Sequence, residues 1–317
     1  MKNHVIEYTG IGNVRLIEKP VRDELEKEEV LIRVKTCGIC MSEIRSFSGK
    51  VHSKFPGYAG HEPVGIVEKV HSSVTGIKPG DNVAANFFPA FSEFIIVNER
   101  NVFRLPENIS DFTLWMVEPA ACAVNSVRNT GIEPGDRVVL VGCGYMGLLV
   151  LQVLPKNLTF KTVVVDLLEE RMKLAMEFGA DAAINSGVPD WQNKVKSVLG
   201  GPADVVIECT GFPGVLEKAM PLLRVNGLMN IFGWHTYDEP MPLSFWHTSG
   251  TRIINTSPSA SKNWQKDFSD TVNLISAGKI DQKKLITHRY PMSDAQKALD
   301  FVSKNRDKAL KAVFTLD

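Results

Sequence analysis

Cys37-Gly-Ile-Cys40 places two thiols three residues apart. That spacing serves two chemistries: a redox pair, which wants a thioredoxin-like βαβ setting, or a thiolate that binds metal. Downstream lie Gly60-His61-Glu62 and then Glu118-Pro119. Cysteine, histidine and carboxylate are the donors of catalytic zinc, which takes three protein ligands and keeps a position open. These segments are far apart in sequence, so spacing alone leaves His61 free to be an ordinary buried or surface histidine. A second constellation, Gly142-Cys-Gly-Tyr-Met-Gly147, matches G-x-G-x-x-G. Gly142 permits the tight turn, Gly144 lets the backbone approach a pyrophosphate, and Gly147 lets a helix pack closely on a strand. Tyr145 and Met146 open the helix whose N-terminus receives the anion. Asp166 follows Gly142 by 24 residues. A carboxylate there accepts hydrogen bonds from both ribose hydroxyls and repels a 2′-phosphate, which selects NAD over NADP. The bland alternatives are a glycine turn without a ligand and a turn residue at a strand end. Arg171 either caps the adenine side or is a solvated helix residue.

The elements around these residues differ along the chain. Residues 1–119 are rich in strand and turn signals. Val30–Lys35 and Gly65–Val70 alternate as half-buried strands do, and Lys78-Pro-Gly-Asp81 and Leu105-Pro-Glu-Asn108 mark turns. Several short strands at this spacing suggest a small barrel or sandwich. Near residue 120 the texture changes. Arg137–Val141 and Thr162–Val165 are continuous apolar runs, the mark of strands buried on both faces. Strands at 181–184, 204–207, 228–232 and 252–254 alternate with helices, which is the pattern of a doubly wound parallel sheet. The glycine motif follows a buried strand and opens a helix within one βαβ unit, the context that gives it weight. After residue 253 the alternation stops. Helices at 268–277 and 294–304 and a terminal strand at 312–316 are expected to rejoin the first domain.

The composition agrees with this division. A chain of 317 residues has a prior of about two domains. Lys plus Arg and Asp plus Glu both number 36, and this neutral balance argues against nucleic-acid or anionic-membrane partners. No apolar stretch approaches the ~20 residues needed to cross a bilayer, and no secretory leader is visible. Five scattered cysteines suit a reducing, cytoplasmic compartment better than a disulfide framework.

In order along the chain, Thr36-Cys-Gly-Ile-Cys-Met-Ser-Glu43, Gly60-His-Glu-Pro-Val-Gly65, Lys78-Pro-Gly-Asp-Asn-Val83, Val117-Glu-Pro119, the glycine motif and Glu208-Cys-Thr-Gly211 resemble the medium-chain zinc-dependent alcohol and polyol dehydrogenases. The sorbitol and threonine dehydrogenase branches are closest in pattern, because the third ligand position is a glutamate. The resemblance implies an α/β fold. A GroES-like catalytic domain (1–119 and 254–317) would be interrupted by a Rossmann NAD-binding domain (120–253). It implies Cys40, His61 and Glu118 as ligands of one catalytic zinc. Glu62 would bind the metal directly or stand just behind it, and Ser42 would relay the substrate proton. Thr210 and Gly233 are expected beside the cofactor, and Phe87, His235 and Arg289 beside the substrate. For His235 a loop histidine, and for Arg289 solvent or a structural carboxylate, are the competing readings.

Two departures stand out. Glu43 occupies a position where relatives usually carry Asp. The lobe with four closely spaced cysteines that follows the Gly-Asp-x-Val turn in many relatives is missing, so no structural zinc is expected. The implied activity is reversible hydride transfer between an alcohol (a polyol, sugar or amino alcohol) and NAD, in a homodimer or homotetramer. The alternatives are a zinc-free reductase of enones or quinones and a non-catalytic NAD-binding protein.

Overall fold

The computed structural model describes residues 1–316; Asp317, the last residue of the expected catalytic domain, lies outside the described residues. The chain packs as two compact units, one formed by Met1–Pro119 and Phe268 onward, the other by Ala120–Asp267.

The first unit opens with a hairpin, β1 (Lys2–Gly10) and β2 (Asn13–Pro20). Its spine is β3 (Glu29–Ile39), which ends at Cys40 and the short α1 (Met41–Phe47). Then come β4 (Gly57–Tyr58), β5 (Pro63–Val70), β6 (Asn82–Ala85), β7 (Phe94–Asn98) and β8 (Val102–Arg104). Of the alternation read at Val30–Lys35, Val30, Ile32 and Val34 are buried on the core side, while Arg33 and Lys35 are only partly buried; Leu31 departs from the pattern and is buried as well. Gly60 enters a tight turn just before His61. Its φ is +91°, and a Cβ there would stand 2.4 Å from the Phe91 ring, so only glycine fits.

The chain leaves this unit within α2 (Val117–Thr130). The second unit holds six parallel strands: β9 (Arg137–Val141), β10 (Lys161–Asp166), β11 (Ala182–Asn185), β12 (Ala203–Glu208), β13 (Leu223–Ile231) and β14 (Arg252–Asn255). Their order, β11-β10-β9-β12-β13-β14, reads 3-2-1-4-5-6, the dinucleotide-binding arrangement. Helices α3 (Tyr145–Val153), α4 (Glu169–Glu177), α5 (Trp191–Leu199), α6 (Val215–Ala219) and α7 (Leu243–Ser249) connect them. The strand order changes sense between β9 and β12, where open sheets of this kind take their ligands. The apolar runs read as doubly buried strands behave so: Val138, Val139, Leu140, Val163 and Val164 have no exposure.

The return to the first unit falls later than expected, after Asp267 and not at 253/254. Polar side chains hold the intervening stretch to the second unit. Asn125 donates to the Thr256 and Ser257 carbonyls, the Thr256 hydroxyl donates to Asn230 Oδ1, and Arg128 pairs with Asp267. The chain comes back through α8 (Trp264–Ser276), β15 (Ile286–Pro291), α9 (Ala295–Lys304) and β16 (Lys311–Thr315). β16 pairs antiparallel with β3, completing a seven-stranded sheet in the order β15-β16-β3-β5-β6-β8 with β7 on β3. On α9, Ala295, Ala298, Leu299 and Val302 form the buried stripe, the i, i+3, i+4, i+7 spacing of an amphipathic helix. The Phe91 and Phe314 rings meet edge to face at 4.9 Å in this core.

Candidate metal and cofactor sites

Cys40 ends the spine strand and begins α1. Glu43, three residues on, accepts a hydrogen bond from the Cys40 backbone N–H at 2.8 Å, which is half of a capping box. Its other carboxylate oxygen meets His61 Nδ1 at 2.7 Å. The longer side chain of Glu43 thus performs both tasks, fixing the turn at Cys40 and orienting the His61 ring. A histidine held in this way by a carboxylate presents Nε2, as metal-bound histidines do.

Cys40, His61 and Glu62 bring their donor atoms within 4.8 Å of one another. Glu118 Oε2 stands 4.0 Å from His61 Nε2. Burial opposes a charge on His61. It is outweighed by hydrogen bonds to Cys40 and Glu43 and by the negative charges of Glu43 and Glu118, so the imidazole is pushed up to about 12. A thiol, an imidazole and carboxylates converging on one point make a site that favours a cation. Soft sulfur with nitrogen and oxygen is a donor set suited to zinc. The residues present therefore fit the metal.

Glu62 is almost fully buried, and its carboxylate is met by Lys311 Nζ at 2.6 and 2.5 Å. Lys311 is 4% exposed and was not anticipated from the sequence. Its one available signal is strand alternation, which puts it on the same face of β16 as the fully buried Val313. Gly38, between the two cysteines, leaves room for this pair. A Cβ there would lie 1.8 Å from Glu62 Oε2 and 2.9 Å from Lys311 Cε. Cys37 is wholly buried, and burial, with Glu62 nearby, raises its thiol well above the ordinary range. That suits a packing residue. Ser42 Oγ is buried with no hydrogen-bond partner among the described residues, so it can bond to an incoming hydroxyl. Phe87 is half-buried and packs on the core of this unit.

In the second unit Gly142 has φ +98°, and a Cβ on it would strike Thr210 Cγ2 at 2.6 Å. A Cβ on Gly147 would stand 1.9 Å from the Gly142 carbonyl oxygen, whereas one on Gly144 would meet nothing nearer than Arg171 Nη1 at 3.9 Å. The turn is therefore packed at its outer glycines and open at the middle one. Tyr145 is buried and Met146 half-buried at the start of α3. Arg171 comes close to this open turn. Asp166 ends β10 and accepts from the backbone N–H groups of Cys143, Leu167 and Leu168 at 2.6–2.9 Å. Thr210 N–H and Gly211 N–H donate to Glu208 Oε1 at 2.6 and 3.0 Å. Gly233 lies against the same corner, where a Cβ would be 2.3 Å from Gly211 N.

Two expected substrate residues are engaged elsewhere. His235 has both ring nitrogens on carboxylates, Nε2 to Glu208 at 2.9 Å and Nδ1 to Glu239 at 2.5 Å. It ties a loop to a strand end and has no ring nitrogen left for a substrate. Arg289 pairs with Asp111 at 3.2 Å and donates to Thr113 Oγ1 at 3.1 Å, the structural-carboxylate reading.

A parallel-sheet unit of dinucleotide-binding topology, joined in one chain to a β-rich unit carrying a thiol–imidazole–carboxylate cluster, defines a nucleotide-dependent metal dehydrogenase. Residues 26–107 match the family model for the alcohol dehydrogenase GroES-like domain, and residues 132–277 match that for zinc-binding dehydrogenase. The chain belongs to the zinc-dependent medium-chain alcohol dehydrogenase family. It is 28% identical to the sorbitol dehydrogenase of Halalkalibacterium halodurans, over 99% of each chain. It is 27% identical to sorbitol dehydrogenase 1 of Saccharomyces cerevisiae, over 98% of this chain and 97% of that one. Among solved structures, an Escherichia coli oxidoreductase/dehydrogenase of unknown specificity superposes with a TM-score of 0.89 at 26% identity, covering both chains fully. Among the described residues no helix is long and apolar enough to cross a membrane.

Proposed function

We propose that this chain oxidises a hydroxyl of a polyol, sugar or amino alcohol with NAD, reversibly, at one catalytic zinc held by Cys40, His61 and Glu118. The convergence of Cys40, His61 and two carboxylates, with Glu43 fixing the histidine ring, carries this reading. The polyol preference is supported by the sorbitol dehydrogenase relatives and by a glutamate at the third ligand position. Zinc, when bound, supplies Lewis acidity that lowers the pKa of a substrate hydroxyl, and NAD supplies the hydride acceptor.

The chain's own groups do the rest. Ser42 Oγ accepts the hydroxyl proton and passes it on. Phe87 offers an apolar surface to the substrate carbon chain. Gly144 exposes backbone N–H groups to the diphosphate at the start of α3, with the Arg171 guanidinium nearby. Asp166 receives the ribose hydroxyls, and its charge disfavours a 2′-phosphate. Thr210 and Gly233 line the strand ends beside the nicotinamide. No structural zinc is required. The enzyme works in the cytoplasm as a homodimer or homotetramer.

The test is a screen for NAD reduction over polyols, sugars and amino alcohols, with metal content measured in parallel. Turnover of one of these with about one zinc per chain supports the proposal. Turnover of an enone or quinone without zinc overturns it in favour of a zinc-free reductase, and NADH binding without any turnover overturns it in favour of a binding protein. Asp166→Ala should also weaken NAD more than NADP.

A further inference from the structure

Strands β12 and β13 end side by side, with Glu208 opposite Ile231. The turns that follow them, 209–214 and 232–239, press backbone against backbone. The Phe232 and Gly233 N–H groups both donate to the Glu208 carbonyl, at 2.9 and 2.8 Å. A Cβ on Gly211 would lie 2.6 Å from the Trp234 carbonyl oxygen, and one on Gly233 would lie 2.5 Å from Glu208 Oε2. The corner has no slack, so a shift in either turn is felt by the other.

Two carboxylates hold this corner, and His235 joins them. Glu208 Oε1 accepts from the Thr210 N–H, the Thr210 hydroxyl and the Gly211 N–H. Glu208 Oε2 meets His235 Nε2 at 2.9 Å. On the other side of the imidazole, Nδ1 meets Glu239 Oε1 at 2.5 Å, and Glu239 Oε2 accepts from the Gly214 N–H at 2.8 Å. The hydrogen bonds therefore close a ring that runs from the end of β12 through both turns and back. Only a doubly protonated imidazole donates at both nitrogens. Its charge answers two carboxylates, and the three side chains are 12% exposed or less. A buried carboxylate that loses its partner is left as an uncompensated charge, and here the bare Oε2 would press on Gly233.

We infer that His235 is a positioning residue for the cofactor: by clamping Glu208 to Glu239 it fixes the Thr210–Gly211 turn and Gly233 in the shape that receives the nicotinamide half of the dinucleotide. This rests on the reading of Thr210 and Gly233 as neighbours of the nicotinamide. The clamp divides the labour of binding. The glycine turn and Asp166 serve the diphosphate and the adenosine ribose, and they are anchored apart from His235. Gly142 N–H donates to the Val165 carbonyl at 2.8 Å, and Cys143 N–H donates to Asp166 at 2.6 Å. Opening the ring at His235 therefore releases the nicotinamide side and leaves the adenosine side in place.

The experiment titrates NADH and ADP-ribose by calorimetry into wild type, His235→Gln, Glu239→Gln and Gly144→Ala, with a thermal melt of each. ADP-ribose carries the adenosine, the diphosphate and the second ribose but no nicotinamide. His235→Gln should weaken NADH about tenfold, the worth of a charge-assisted hydrogen bond, and ADP-ribose by less than about twofold. Glu239→Gln should show the same selectivity with a smaller loss, because the imidazole stays on Glu208. Gly144→Ala is the control and should weaken both ligands, since the diphosphate is common to them. A clamp that serves stability alone predicts something else for His235→Gln: a lowered thermal midpoint with both affinities unchanged, or both weakened alike. Either result would overturn the inference. If His235→Gln does not fold, Glu239→Gln decides, and an equal loss of both ligands or no loss of NADH overturns the inference there. A wild type that binds neither ligand would instead overturn the dinucleotide reading on which the inference rests.

Discussion

Gly144 and Gly147 lie three residues apart in one turn, and alanine at each should fail in a different way. At Gly147 the new methyl would stand 1.9 Å from the Gly142 carbonyl oxygen. Backbone must part from backbone by about 1 Å to admit it, and overpacking of this kind costs about 1–3 kcal/mol. The thermal midpoint should fall by about 2–4 °C for each kcal/mol, and the displaced turn should also lose cofactor affinity. At Gly144 the φ is −69°, which alanine adopts freely, and the nearest atom to the methyl is 3.9 Å away. Replacing glycine at a helix N-cap with alanine costs about 0.5–1 kcal/mol, so the fold should hold. The methyl, however, stands where the proposed diphosphate must approach. Losing one hydrogen bond to a charged oxygen is worth about 1.5–3 kcal/mol, which is roughly a ten- to hundredfold loss of NADH affinity. Fluorescence titration of NADH and thermal melts of both variants make the comparison. If Gly144→Ala binds NADH within about twofold of wild type, the middle glycine does not admit the diphosphate and the assignment of this turn is wrong.

Three further outcomes follow from the site. Cys40→Ser should abolish NAD reduction and lose zinc while NADH titrates as in wild type; retained activity would remove Cys40 from the ligand set. The hydrogen bond to Glu208, against the effect of burial and with help from Glu239, raises the His235 pKa above the ordinary imidazole range. A raised value stabilises the fold fully below the ordinary imidazole range and less as pH climbs through the raised one. The thermal-midpoint gap between wild type and His235→Gln should therefore be widest near about pH 6 and close on the alkaline side; a gap independent of pH would refute the bridge. Arg289→Ala breaks a half-exposed pair with Asp111, a loss of at most about 1 kcal/mol, and substrate KM should not change. A large rise in KM would return Arg289 to the substrate.

The legibility of the fold followed burial. Strands β9 and β10 were readable because a strand covered on both faces must be a continuous apolar run, and their sequences RVVLV and KTVVVD are nearly that. The hairpin strand β2 left a weaker trace, since none of its residues is fully buried and Arg15, Glu18 and Lys19 interrupt its pattern. The return point was misplaced because the sequence of 254–267 has no βαβ pattern, while its attachment runs through Asn125, Asn230 and Thr256, polar groups that periodicity does not register.

The site divides in the same way. Cys40, His61, Glu62 and Glu118 were readable as donor types, and the glycine turn as a spaced motif. Lys311 was hidden because a lysine at the start of a terminal strand reads as solvated, and only the pairing of β16 with β3 carries it to Glu62. A structural carboxylate was among the readings for Arg289, but which carboxylate it is, and the partners of His235, are set by folding: Asp111 is 178 residues from Arg289 and Glu208 is 27 from His235. Glu43 looked like a disturbance of the Asp pattern, yet its extra methylene lets it cap α1 and hold His61 together.

Catalysis as proposed requires Cys40, His61 and Glu118 together to hold a single zinc. Zinc content after exhaustive dialysis, measured on wild type and on Cys40→Ser, His61→Ala and Glu118→Ala, tests it directly. Wild type should retain about one zinc per chain and each variant a small fraction of that. Full zinc retention in any of the three variants would contradict the assignment of that residue as a ligand, and a zinc-free wild type would contradict the whole.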